Sequence, residues 1–270
     1  MIPSPPTNPR ISPLLLGVTW IEVAVLLVAG GGLLIALPWV VGVWPWPLSP
    51  FNLRFLGALY TAALLAAFLQ CWFGRWAPSR TVTMMIFVFT LVVTACSFVH
   101  WQRFDPSKVE VWVWFVLYVG VCVNAGAHLA WYRRVAPAGG PPESRTRTAL
   151  LAQALVLGGY GVALLVVPEE AARLWPWKLD RFHAQLYSVT FLTPAAGALT
   201  LVRSAARVDW LTLGATQLAW GLLPIVALLL VDVRLHRVDW QAWTVWAWLG
   251  LFVLTAAMGA WMLVQAARAR

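Results

Sequence analysis

Residues 44–51 read WPWPLSPF and residues 175–182 read WPWKLDRF. Five of the eight positions agree at a separation of 131 residues, and each copy follows a long apolar stretch. Further along the chain, Arg103-Phe104-Asp105 matches Arg237-Val238-Asp239 at a separation of 134 residues, so the two copies differ by three residues in length between these points. The chain therefore reads as a tandem duplication of one unit.

The composition is that of a membrane protein. Of the 270 residues, 61% are hydrophobic and 11% are charged, whereas about a quarter of the residues of an ordinary soluble domain are charged. A helix of about 20 mainly apolar residues crosses a hydrocarbon core about 30 Å thick. We therefore predict an all-α polytopic membrane protein with eight transmembrane helices, at about 14–37, 54–73, 82–100, 111–132, 149–167, 184–202, 211–231 and 243–266.

Four of these stretches fall in each copy of the duplicated unit. A proline-rich leader at 1–13 precedes a first four-helix repeat at 14–134, and a Pro/Gly/Arg-rich linker at 135–148 joins it to a second repeat at 149–268. Because an even number of spans returns the chain to its starting side, the second repeat enters the membrane from the same side as the first. We expect two parallel repeats, related by an axis along the membrane normal, with the leader and the linker in the cytoplasm.

The formal net charge of +9 is explained by membrane orientation and not by nucleic acid. If the N-terminus is cytoplasmic, the inner segments carry eleven Lys and Arg residues and the outer segments carry eight. Short cytoplasmic loops are enriched in Lys and Arg, so we expect both termini in the cytoplasm and no nucleic-acid partner. We expect the protein in the plasma (inner) membrane of a prokaryote, in contact with the lipid bilayer.

The best-preserved features of the duplication are predicted to lie together on the outer face. A proline between two tryptophans fixes the backbone, and indole rings favour the depth of the lipid headgroups. Two interpretations follow: the motifs are rigid loops that only anchor the helices, or they form a platform that contacts lipid or another membrane protein. The candidate platform residues are Trp44, Pro45, Trp46, Trp175, Pro176 and Trp177, and the repeat-matched charged residues of this face are Arg103, Asp105, Arg237 and Asp239.

One acidic residue, Glu22, falls well inside a predicted span, and a charged group at this depth usually faces a cavity or a bundle interior. Asn124 and His128 are four residues apart, hence on one helix face, at a similar distance from the inner boundary. We predict an intramembrane polar pocket of these three residues that responds to protons or cations. The alternative is a Glu22 that is neutral because it is buried, or that pairs with Arg75 or Arg133, and only fixes helix packing.

The sequence has no motif of a metal site, a cofactor site or a catalytic centre. His100, His183 and His236 have acidic neighbours but no HExxH or HxH spacing, and the three cysteines form no CxxC pair. We therefore expect no metal, no cofactor and no catalytic residue. Two functions remain. The first is a non-catalytic integral membrane protein whose outer Trp/Pro-rich face contacts lipid or a membrane partner; the second is a small-molecule or ion carrier with its polar pocket in the first repeat.

Overall fold

The computed structural model describes residues 8–268, so that residues 1–7 of the predicted leader and the final residues 269–270 lie outside the described residues. Within this range, eight helices are long and apolar enough to span a membrane, with mean hydropathies of 1.2 to 2.4 over their most apolar windows. The prediction of an all-α integral membrane protein with eight spans is confirmed. The helices are α1 (Pro13–Ile35), α2 (Pro50–Phe73), α3 (Trp76–Val99), α4 (Val109–Trp131), α5 (Ser144–Val166), α6 (Arg181–Arg203), α7 (Arg207–Leu235) and α8 (Trp243–Arg268).

Serine followed by proline sets the first residue of α1 and of α2. Ser12 Oγ accepts a hydrogen bond from Leu15 N (3.1 Å), and Ser49 Oγ accepts one from Asn52 N (3.3 Å). Each serine thereby satisfies one of the free N–H groups of the first turn, and the proline that follows has no N–H to satisfy. Because of this cap, α2 begins at residue 50, four residues before the predicted start.

Helices that follow one another in the chain pack in pairs: α1 on α2, α3 on α4, α5 on α6, and α7 on α8. The main contacts between the two halves are those of α2 with α7 and of α3 with α6. Glycine permits the closest approaches, since a Cβ on Gly57 of α2 would lie 2.3 Å from Leu34 N of α1, and one on Gly221 of α7 would lie 2.4 Å from Phe252 O of α8. Small residues let spanning helices pack backbone against backbone in this way.

The two ends of the bundle differ in composition. The tryptophan end, which carries both WPW motifs, consists of the segments 36–49, 100–108, 167–180 and 236–242. The arginine end consists of the segments 8–12, 74–75, 132–143 and 204–206. At the arginine end, Asn8 Oδ1 accepts a hydrogen bond from Ala77 N (2.8 Å), and Trp76 N donates to Pro9 O (2.8 Å). The end of the leader is therefore bound to the start of α3.

Candidate functional site

The two WPW motifs are packed inside the tryptophan end. The ring of Trp46 meets that of Trp114 at a centroid distance of 4.9 Å, and the ring of Trp177 meets that of Trp248 at 5.8 Å. Trp46 and Trp175 are each only 5% exposed. The rings of these motifs therefore belong mainly to the core of this end, and their contact with lipid or a partner stays a prediction. The residues that are buried or half-buried here are Trp44, Pro45, Trp46, Trp175, Pro176 and Trp177.

Each motif donates a hydrogen bond to the other half of the molecule. Trp46 Nε1 donates to His183 Nε2 (3.2 Å), and Trp177 Nε1 donates to Asn52 Oδ1 (2.8 Å). His183 and Asn52 are 131 residues apart in the chain, which is the separation of the two motifs themselves. The two hydrogen bonds thus have matching donors and matching acceptor positions, and together they join the halves at the tryptophan end.

His183 also binds Asp180, which belongs to a charged group at this junction. An indole N–H can only donate, so His183 Nε2 accepts from Trp46 and its Nδ1 carries the proton that faces Asp180 Oδ1 at 2.7 Å. Asp180 also accepts from His183 N (2.9 Å) and pairs with Arg103 Nη2 (3.0 Å). Partial burial disfavours the ionised carboxylate, but the hydrogen bonds from His183 and the charge of Arg103 outweigh it and hold the pKa of Asp180 below its usual range.

The matched aspartates make the same hydrogen bond in the two halves. Asp105 Oδ1 accepts from Ser107 N (3.1 Å), and Asp239 Oδ1 accepts from Gln241 N (3.0 Å). An Asp side chain that binds the backbone two residues on stabilises a turn. Both residues therefore order the loop in which they lie.

The matched arginines have different partners. Arg103 pairs through its side chain with Asp180 of the other half. Arg237 is bound through its backbone N, which donates to Asp232 Oδ1 (2.9 Å), and Val238 N donates to the same oxygen (2.8 Å). The ion pair between the halves is thus formed by the first arginine only, among the described residues.

Glu22, Asn124 and His128 do not form one pocket. His128 Nε2 lies 2.7 Å from Ser12 Oγ, and its Nδ1 lies 2.8 Å from Asn124 O. The contact of His128 with Ser12 ties the end of α4 to the start of α1. Asn124 Nδ2 is buried with no partner within residues 8–268. Glu22 is ten residues beyond Ser12, about 15 Å along the helix axis. Glu22 therefore lies deeper in the bundle than His128, and the three predicted residues do not share one pocket.

Glu22 faces a large space that the sequence did not reveal. This space, the lateral groove, has a volume of about 740 Å³ and lies between α1 and α4, against α2 and α3. Its wall is mostly apolar. The hydroxyl groups of Tyr60 and Tyr118 meet there at 2.6 Å. The polar residues that line the groove are Glu22, Tyr60, Thr90, Glu110, Tyr118 and Thr193.

The lateral groove opens sideways, between α1 and α4. Residues of both helices line it and are also partly exposed, among them Val28 (48%) on α1 and Val116 (69%) on α4. Both helices are spans, so the opening faces the hydrocarbon region of the bilayer. Gly120 adds to the space, because a Cβ at this position would meet no atom within 4 Å. A molecule dissolved in the bilayer can thus reach Glu22 without crossing the protein.

No protein-family model matches this chain, and neither a curated protein nor a solved structure is significantly similar to it. The assignment of a function therefore rests on the geometry of the chain itself.

In the second half, the residue that matches Glu22 is hydrogen-bonded within the protein. Gln153, which lies 131 residues after Glu22, is buried and donates to Gln217 Oε1 (2.6 Å). Gln217 in turn donates to Pro194 O (3.3 Å). Glu22 makes no hydrogen bond and no ion pair with residues 8–268, and in particular none with Arg75 or Arg133. The carboxyl group of Glu22 is therefore free to bind a molecule that enters the groove.

Proposed function

We propose that the protein is a non-catalytic membrane protein that binds a lipophilic small molecule in the lateral groove. The observation that carries this proposal is the space of about 740 Å³ open between α1 and α4. Ligand sites commonly enclose about 300–1,000 Å³ and have mostly apolar walls with a few polar groups. The proposal develops the small-molecule carrier expected from the sequence, with the lateral groove in place of the three-residue pocket.

Native mass spectrometry of the purified protein tests this function. In Gly120→Phe, we expect the added ring to occupy part of the groove, since a Cβ at this position meets no atom within 4 Å. Gly250→Phe is the matched control, because Gly250 is also a helical, open position but lies outside the groove. We expect wild type and Gly250→Phe to retain a bound lipophilic species that Gly120→Phe has lost. Equal spectra for all three proteins would contradict the proposal.

We also propose that the tryptophan end faces outward and the arginine end faces the cytoplasm of a prokaryotic plasma membrane. The distribution of Lys and Arg, eleven against eight, supports this orientation through the enrichment of these residues in cytoplasmic loops. Fusions of alkaline phosphatase and of green fluorescent protein to the C-terminus provide the measurement. Fluorescence without phosphatase activity is the expected result, and phosphatase activity without fluorescence would reverse the orientation.

A second function, contact with lipid headgroups or a membrane partner, is supported by tryptophans in the first turns of α4 and α8, next to the tryptophan end. Trp112, Trp243 and Trp246 are 52%, 71% and 59% exposed, whereas the WPW motifs are packed inside. Aromatic residues of this kind favour membrane interfaces and protein contacts. If they bind a partner, replacing all three by serine removes a protein that co-purifies with the wild type. An unchanged set of co-purifying proteins would rule out that role.

A further inference from the structure

The ionisable groups that line the lateral groove have one sign of charge. Glu22 and Glu110 are the carboxyl groups of its wall, and within residues 8–268 no Lys, Arg or His lines it. Where the charge of a ligand is selected by its site, groups of opposite sign are brought together. The wall of the groove is thus suited to a ligand with a positive charge.

Glu22 has no partner in the part of the chain that the structure describes. It makes no hydrogen bond or ion pair within residues 8–268, whereas the carboxamide of Gln70, also buried in this half, is held by Thr19 and Thr83. An ionised group at the depth of the hydrocarbon core is costly unless it is paired. A partner that enters the groove from the bilayer would remove this cost.

Aromatic rings surround the same space. Tyr60, Phe89, Trp114, Tyr118 and Trp220 line the groove together with the two carboxyl groups. The faces of such rings attract ammonium groups, and quaternary ammonium ligands are recognised by aromatic side chains in this way. The pairing of Ser12 with His128 places Glu22 near the level of Tyr118, so that Glu110 lies about 12 Å closer to the tryptophan end. That length of groove accommodates an alkyl chain.

We propose that the ligand of the lateral groove is a lipophilic cation, an amine or quaternary ammonium group on an alkyl body, whose charge pairs with Glu22. This inference rests on the proposed function, because it names the chemical class of the molecule that the groove binds. The charged group lies among the aromatic rings near Glu22, and the alkyl body extends along the apolar wall.

Three probes of equal chain length test the inference: dodecyltrimethylammonium, dodecanol and dodecanoate. Binding to the protein in phosphatidylcholine nanodiscs is measured by titration calorimetry, with empty nanodiscs subtracted. We expect the cation to bind about tenfold more tightly than the alcohol, as a charge-assisted contact gives, with dodecanoate weakest. Glu22→Gln should bring the affinity for the cation to that for the alcohol. Glu169→Gln, which removes the same charge at an exposed position outside the groove, should leave the preference unchanged.

The outcomes separate this inference from the proposed function. If the alcohol binds and Gly120→Phe abolishes its binding, but the cation has no advantage, only the lipophilic cation is wrong. If the cation preference persists in Glu22→Gln, the pairing of the ligand charge with Glu22 is wrong. If no probe binds above the level of empty nanodiscs, and Gly120→Phe changes nothing, the groove is not a binding site and the proposed function fails.

Discussion

At the tryptophan end, His183 lies between two groups with opposite hydrogen-bonding requirements. Trp46 donates to its Nε2, and Asp180 accepts at its Nδ1. In His183→Ala, the buried indole N–H of Trp46 loses its acceptor, which costs about 1–3 kcal/mol. We expect His183→Asn to cost less, since the matching position of the first half is Asn52 and its Oδ1 accepts from Trp177. Thermal unfolding in detergent gives the comparison, and equal losses for the two variants would show that the acceptor is unimportant.

Asp180 gives the stability of the junction a dependence on acid pH. Its pKa is lower in the folded protein than its usual value, despite partial burial, because of His183 and Arg103. The stabilisation is therefore present above the unfolded pKa of about 3.9 and is lost as the pH falls through the folded value. We expect the unfolding temperature of Asp180→Asn to fall less steeply below about pH 4 than that of wild type. Glu170→Gln, at an exposed position of the same end, is the control and should retain the wild-type slope.

The sequence predicted that the WPW motifs lie at one end of the helices, but not that their rings face the core. Trp46 has the same interfacial chemistry whether it meets headgroups or another indole. Its hydrogen-bond acceptor is 137 residues away, and no local pattern indicates that contact. The matching position of Asn52 and His183 was visible as a spacing, but their different side chains gave no sign of a shared role.

At the scale of helices, glycine sets how closely α1 and α2 approach, and Gly57 makes the closest contact. A Cβ on Gly57 would lie 2.3 Å from Leu34 N, a backbone atom that cannot rotate away. Forcing extra volume into a packed contact costs about 1–3 kcal/mol or more. We expect Gly57→Leu to reduce the yield of folded protein strongly, whereas Gly120→Leu, with open space around it, leaves it near wild type. Fluorescence-detected size-exclusion chromatography measures both, and a well-folded Gly57→Leu would contradict the assigned packing.

Helix α3 shows why the predicted boundaries shifted. The segment with Pro78 and Arg80 has the composition of a loop, and the predicted span began at residue 82, but the helix begins at Trp76. Arg80 Nη2 donates to Thr200 O (3.1 Å) and Ser204 O (2.9 Å) at the end of α6. A cation there satisfies carbonyl groups that a helix end leaves free. The arginine that indicated a loop in the sequence thus binds the end of α6 to the start of α3.

Helix α6 continues through Pro194 because another helix satisfies the carbonyl group that the proline leaves free. Proline has no N–H to donate to the residue four positions earlier, and Thr190 O accepts from Trp220 Nε1 of α7 instead (2.8 Å). Trp220 also lines the lateral groove with Thr193. The contact between α6 and α7 that stabilises α6 therefore also forms the inner wall of the site.

For the whole molecule, the number of spans followed from composition, whereas the lateral groove did not. Apolar length is a property of each segment, so the eight helices could be predicted one at a time. The groove depends on how far α1 and α4 diverge beyond the contact of Ser12 with His128. That divergence is set by packing across the chain, and the valines and tyrosines of its wall are ordinary residues of any span.

The last prediction concerns the association of the two halves of the chain. Their main contacts are α2 with α7 and α3 with α6, reinforced by the hydrogen bonds of Trp46 and Trp177. The linker adds contacts of its own, since Ser204 Oγ donates to Ala138 O (3.0 Å) and Ala205 N donates to Gly140 O (3.1 Å). We expect residues 1–140 and 141–270, expressed together as separate chains, to co-purify as one complex, because each half alone exposes the helix faces that meet at the centre. Trp46→Phe with Trp177→Phe should weaken the complex by removing both indole donors. Halves that are each stable alone and do not associate would show that they are independent domains.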